Sequence, residues 1–120
     1  MKKQIFIVDD DEAILDVIKI ILDENGFRTT VISSANDLFK KLKTVIPDLI
    51  FLDIWLSGTD GIEISRKLKT SPKYKKIPVI MISANNQGEE IAKKSGSDGF
   101  LAKPFEIDDL IKKVKNLIND

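Results

Sequence analysis

Two rhythms of apolar and polar residues alternate along the chain: short unbroken apolar runs, and longer stretches with an apolar residue every three or four positions. QIFIV, residues 4–8, is short, β-rich and followed by acids, which predicts a buried strand. Ile14, Val17, Ile18, Ile21 and Leu22 form a stripe that predicts a helix over about 12–25, with Gly26 as its stop. A second strand is predicted over 27–32. Ser34 followed by Asp37 has capping-box spacing and opens a helix carrying Leu38, Phe39, Leu42 and Val45, which Pro47 terminates. Residues 48–52 are a third strand, apolar without alternation, and Ile62, Ile64 and Leu68 mark a short helix to about Thr70. IPVIMI, 77–82, is a fourth strand, followed by a polar helix over about 87–95 and a fifth strand over 99–102. Ile107, Leu110, Ile111, Val114, Leu117 and Ile118 make a strong final stripe.

Five strands alternating with five helices predict the α/β class, a single doubly wound (βα)5 domain over residues 1–120 with helices on both faces of a parallel five-stranded sheet. Strands one, three and four are apolar on both faces and belong at its centre. No repeat, low-complexity tract or linker interrupts the pattern.

In such sheets, ligands bind beyond the carboxyl ends of the strands. Strand one delivers Asp9, Asp10 and Asp11 there, strand three Asp53, strand four Ser83 and Ala84, and strand five Lys103 then Pro104. Taken singly these residues are unremarked: Asp11 and Glu12 suit a helix N-terminus, Ser83 a cap, Lys103 the surface. Their convergence on one edge changes that. Three carboxylates in one crevice repel unless a cation or protons compensate. An all-oxygen set suits a hard ion, Mg²⁺ or in its place Mn²⁺. A lysine and a hydroxyl facing the same point suit the oxygens of a transferring phosphoryl group, and a carboxylate can form an aspartyl-phosphate.

Composition trims the alternatives. Nineteen basic and nineteen acidic residues cancel, so no overall field recruits nucleic acid or an anionic membrane. With no Cys and no His, disulfides, thiolate chemistry, His-ligated metals and Ser-His or Cys-His nucleophile pairs are excluded. The apolar run after MKK stops at acids too soon for a signal peptide, and no run reaches membrane-spanning length, so a cytoplasmic protein is expected.

Four segments in order, IVDDD at 7–11, LIFLDIWLSGTDGIEI at 49–64, PVIMISA at 78–84 and GFLAKPF at 99–105, resemble the response-regulator receiver domain of two-component signalling, along the whole chain. The resemblance implies flavodoxin-like strand order 2-1-3-4-5. It implies Asp53 as phosphoacceptor, taking phosphoryl from the phosphohistidine of a sensor histidine kinase or phosphotransfer protein, and a signalling role rather than an enzyme's. Asp9, Asp10, Asp53 and the Trp55 backbone carbonyl would hold Mg²⁺. Ser83 and Lys103 would bind phosphoryl oxygens, Phe100 would be the aromatic that changes rotamer, and Lys103-Pro104 would be a cis bond. The output partner, or a fused effector domain, would read the face around helix four, strand five and helix five, where Pro104 and Phe105 lie.

Position 57 is Ser where the family commonly has proline, which predicts a more mobile loop, and Ser83 replaces the commoner Thr. The Ser83–Gly96 interval is about two residues shorter than in well-known members, at the fourth helix or its entry loop. Trp55 and Asn85 stand where the family flanks the path of attacking water, so the Trp55 side chain is expected to prolong the phosphoryl lifetime. Ala13, Leu15 and Ile20 widen the apolar arc of the first helix beyond one core face and suggest a partner-docking surface. The chain ends just after the final helix, as a stand-alone regulator or a receiver from a larger protein would.

Rival readings fit less well. A dehalogenase-type phosphatase would carry a second aspartate where Trp55 stands, and a flavodoxin-like cofactor binder would not place DDDEAI after strand one. A degenerate receiver that binds partners without phosphorylation is the remaining alternative, although no acid or lysine of the pattern is missing.

Overall fold

The computed structural model describes residues 2–56, 59–84 and 87–118. Five parallel strands, β1 (Gln4–Val8), β2 (Arg28–Ile32), β3 (Leu49–Asp53), β4 (Val79–Ser83) and β5 (Gly99–Ala102), form one sheet in the order β2-β1-β3-β4-β5. Between and after them run α1 (Glu12–Glu24), α2 (Ala35–Leu42), α3 (Gly61–Thr70), α4 (Gly88–Lys94) and α5 (Ile107–Leu117).

The unbroken apolar runs are explained by the two faces they serve, since successive strand residues point to opposite sides. Ile5, Ile7, Leu49, Phe51, Ile80 and Ile82 face α1 and α5; Phe6, Val8, Ile50, Leu52, Val79 and Met81 face α2, α3 and α4. β1, β3 and β4 are central, as their composition predicts.

Local chemistry sets the helix ends. The Asp11 carboxylate accepts from the backbone N–H of Ala13 at 3.0 Å and opens α1. Gly26, at φ 89°, closes it, with the Phe27 N–H reaching back to the Leu22 carbonyl and the Gly26 N–H to Asp23. Gly96, at φ 81°, closes α4 in the same way. The Ser34 hydroxyl accepts from the Asp37 N–H at 3.1 Å, while the Asp37 carboxylate turns to Lys41 at 3.4 Å, so only half of the capping box forms.

Two aspartates clasp the other end of the sheet by one repeated device. Asp48, just before β3, donates its N–H to the Gln4 carbonyl and accepts the Gln4 N–H on its carboxylate, at 2.7 and 2.8 Å. Asp98, just before β5, does the same with Val79, at 2.8 Å for each bond. Lys69 from α3 pairs with the Asp98 carboxylate and also donates to the Ile77 carbonyl.

Several expectations need correction. In α1, Leu15 is 5% exposed in the core and Val17 is 47% exposed, the reverse of the expected assignment. The helix is apolar at so many positions that its phase is ambiguous until the sheet selects Leu15, Ile18, Ile21 and Leu22. Leu15 therefore cannot belong to a docking surface. Val45 does not extend α2: the Val45 N–H and the Thr44 hydroxyl both close on the Lys41 carbonyl, leaving Val45 exposed. Ile107 likewise lies on the outer side of α5. β3 and β4 run one residue further than predicted, so Asp53 and Ser83 are strand residues. Trp55–Leu56 and Thr59–Asp60 pair antiparallel as a small hairpin where a loop was expected.

Candidate phosphoryl-acceptor site

Each functional side chain stands at the carboxyl end of a strand because the apolar run behind it is locked into the core. Asp9 follows β1 and donates its N–H to the Ile32 carbonyl at 3.1 Å. Asp53 ends β3, between the ends of β1 and β4. Lys103 follows β5, tied by its N–H to the Ser83 carbonyl at 2.9 Å.

The structure brings Asp9, Asp10 and Asp53 together: one carboxylate oxygen from each lies within 4.8 Å of the others. Asp9 is fully buried, Asp53 almost so, and Asp10 exposed. The Asp9 carboxylate accepts from the Asp11 N–H at 2.9 Å and from the Lys103 ammonium at 2.8 Å. That ammonium is 4.0 Å from Asp53, whose carboxylate accepts the Trp55 N–H at 3.3 Å. Lys103 is thus held mainly by Asp9 while staying within reach of Asp53.

Burial and then the Asp9 charge push the Asp53 carboxyl up to about 6, against the opposing pull of Lys103 and the Trp55 N–H. Asp9 and Asp53 share the Lys103 ammonium, and both carboxylates are buried where solvent screens their charge least. The cluster fits a hard divalent cation by donor type and proximity.

Ser83 is buried beside this cluster, and Phe100 on β5 is half-buried against the α2–α3–α4 side of the core. The Lys103-Pro104 peptide is cis. Pro104 is exposed and Phe105 half-buried, and both line a groove of about 620 Å³ with Glu89 of α4, Phe100 and α5 residues Asp109 and Lys113. Trp55 is 55% exposed in the hairpin. Ala13 and Ile20 are exposed on α1, away from the buried Leu15. Ser57 and Asn85 lie outside the described residues.

Sequence reasoning missed Gly61. The Gly61 N–H donates to the Ile54 carbonyl at 2.7 Å, and a Cβ there would collide with the Asp53 and Ile54 carbonyl oxygens. This glycine lets α3 start against the backbone that carries the acceptor. The only sequence signal is its place directly after Asp60, whose carboxylate caps α3 by accepting from Ile62 at 2.9 Å.

Among the described residues no helix is long and apolar enough to cross a membrane. The family described as "Response regulator receiver domain" matches residues 5–115. The chain is 31% identical over 98% of its length to the phosphate regulon transcriptional regulatory protein PhoB of Rhizobium meliloti, covering 53% of that protein. It spans about half the length of the curated relatives it matches. The receiver domain of NtrX from Brucella abortus superposes with a TM-score of 0.87 at 32% identity, over 94% of this chain and 96% of that one. A two-component response regulator from Clostridium difficile superposes with a TM-score of 0.87 at 28% identity, over 97% and 95%. By sequence and by fold, the chain belongs to the response-regulator receiver domain family.

Proposed function

We propose that residues 1–120 act as the phosphoacceptor unit of a two-component pathway, with Asp53 taking a phosphoryl group from a phosphohistidine on a sensor kinase or phosphotransfer protein. The observation that carries this reading is the convergence of Asp9, Asp10 and Asp53 within 4.8 Å, with Lys103 reaching in from β5. A carboxylate oxygen of Asp53 attacks phosphorus, the P–N bond to imidazole breaks, and its electron pair leaves on the ring nitrogen. Asp9, Asp10, Asp53 and the Trp55 carbonyl would hold Mg²⁺ (Mn²⁺ fits the same donors), which supplies positive charge opposite the phosphoryl oxygens. Lys103 moves from Asp9 toward one phosphoryl oxygen and the Ser83 hydroxyl donates to another. The new charge at Asp53 draws Ser83 in, and Phe100 carries that movement to the α4–β5–α5 face, where an output partner docks.

The kinase or phosphotransfer helices dock on the exposed apolar stripe Ala13, Val17 and Ile20 of α1. Ile20→Glu should leave the fold intact and slow phosphotransfer from the cognate donor; unchanged transfer would remove α1 from the interface. The acceptor role is tested by intact mass after acetyl phosphate and Mg²⁺. The wild type should gain one phosphoryl group and Asp53→Asn none. No gain in the wild type would instead support a receiver that binds partners without phosphorylation.

A further inference from the structure

Gly88, the first residue of α4, is buried. A Cβ placed there would lie 2.7 and 2.8 Å from Cε1 and Cζ of the Phe100 ring and 3.1 Å from Cβ of Ser83. Carbon atoms in good contact sit about 3.5–4.0 Å apart, so the first two distances cannot be accommodated with the ring in place. Behind the ring, Met81 is fully buried in the α2–α3–α4 core, while Ala92 lines a cavity of about 240 Å³ that the ring also borders. The ring borders two open spaces, that cavity and the groove of about 620 Å³ that it lines with Glu89 and Pro104.

We propose that Gly88 is a positioning residue: by offering no side chain it keeps open the seat that the Phe100 ring occupies beside Ser83. Resting on the phosphoacceptor reading, this makes the size of residue 88 a control on how the Asp53 site couples to the α4–β5–α5 face. With Gly88 the ring stays seated against α4 and supports the Ser83 side chain. With a larger residue it is displaced from that seat toward one of these spaces, and Ser83 is crowded from the same side. The two ring positions are the alternatives of a packed element that cannot deform continuously.

The test uses Gly88→Ala, Phe100→Leu and the double variant, labelled with 4-fluorophenylalanine. The chain has six phenylalanines, and the Phe100 ¹⁹F resonance is assigned by its loss in Phe100→Leu. Gly88→Ala should shift that resonance, lower the unfolding midpoint and lower the phosphorylated fraction at steady state with acetyl phosphate and Mg²⁺. In the Phe100→Leu background the same substitution should cost much less in both midpoint and phosphorylated fraction, leaving only the tighter contact with Ser83. A Phe100 resonance unmoved by Gly88→Ala, or equal losses in both backgrounds, overturns the proposal. If Gly88→Ala does not fold, folding of the double variant supports the seat and its failure overturns it. A wild type that gains no phosphoryl group refutes the acceptor reading alone, because the ¹⁹F shift and the midpoints still decide the seat.

Discussion

The two ends of the sheet use aspartate in opposite ways. At the amino-terminal end, Asp48 and Asp98 each accept the N–H of a neighbouring strand's first residue, and Lys69 neutralises Asp98. At the carboxyl end, Asp9, Asp10 and Asp53 crowd within 4.8 Å, and Lys103 pairs with Asp9 while reaching Asp53. One set is locally satisfied and holds strands in register. The other crowds carboxylates into a half-buried crevice, a costly arrangement that a bound cation would relieve. An aspartate beside a strand is therefore uninformative by itself, and its company separates clasp from site.

The contrast can be broken most forcefully at Lys103. Lys103→Met leaves the fully buried Asp9 without its ammonium and should cost about 4 kcal/mol in urea unfolding without metal, part of it recovered on adding Mg²⁺. Asp53→Asn should act in the opposite sense. Because the Asp53 carboxyl titrates at about 6 when folded and near 3.8 when unfolded, its stabilising share is present below pH 3.8 and lost as pH rises through 6. The metal-free Asn variant should then be more stable than wild type by ~3 kcal/mol at pH 7, with the advantage gone below about pH 4. Paired unfolding curves across that range check it.

Asp98→Ala sharpens the comparison from the other end. It strands the Val79 N–H and should cost ~2 kcal/mol at every Mg²⁺ concentration, with phosphoryl gain by intact mass unchanged. Trp55→Asn should have the smallest effect on stability, under about 0.5 kcal/mol, since the ring is largely exposed. Yet it should speed phosphate release from the phosphorylated protein, measured as decay of the phosphorylated mass; release no faster than wild type would deny the ring a shielding role.

Much of this was legible in the sequence because burial on both faces demands continuous apolar strands. A run such as LIFLD cannot hide where its acid emerges. The order of the sheet came from the family resemblance. The phase of α1 was illegible for the converse reason: Ala13, Ile14, Leu15, Val17, Ile18, Ile20 and Ile21 satisfy more than one helical face. Gly61 and Gly88 were silent because their importance lies in what approaches them, Ile54 and Phe100, from distant parts of the chain. Asp48 reads in sequence only as the first residue of a strand, and Asp98 carries no local signal. Their bonds reach back 44 and 19 residues, a pairing that no local pattern encodes.

The central claim is that the carboxyl-end aspartates form a site whose charge awaits a divalent cation, whereas the amino-terminal ones do not. It is tested most directly by following the urea midpoint of wild type, Asp53→Asn and Asp98→Ala during a Mg²⁺ titration at pH 7. The midpoint should climb with Mg²⁺ equally in wild type and Asp98→Ala, as expected when a ligand binds only the folded state, and far less in Asp53→Asn. An equal climb in all three, or none in the wild type, would contradict the account.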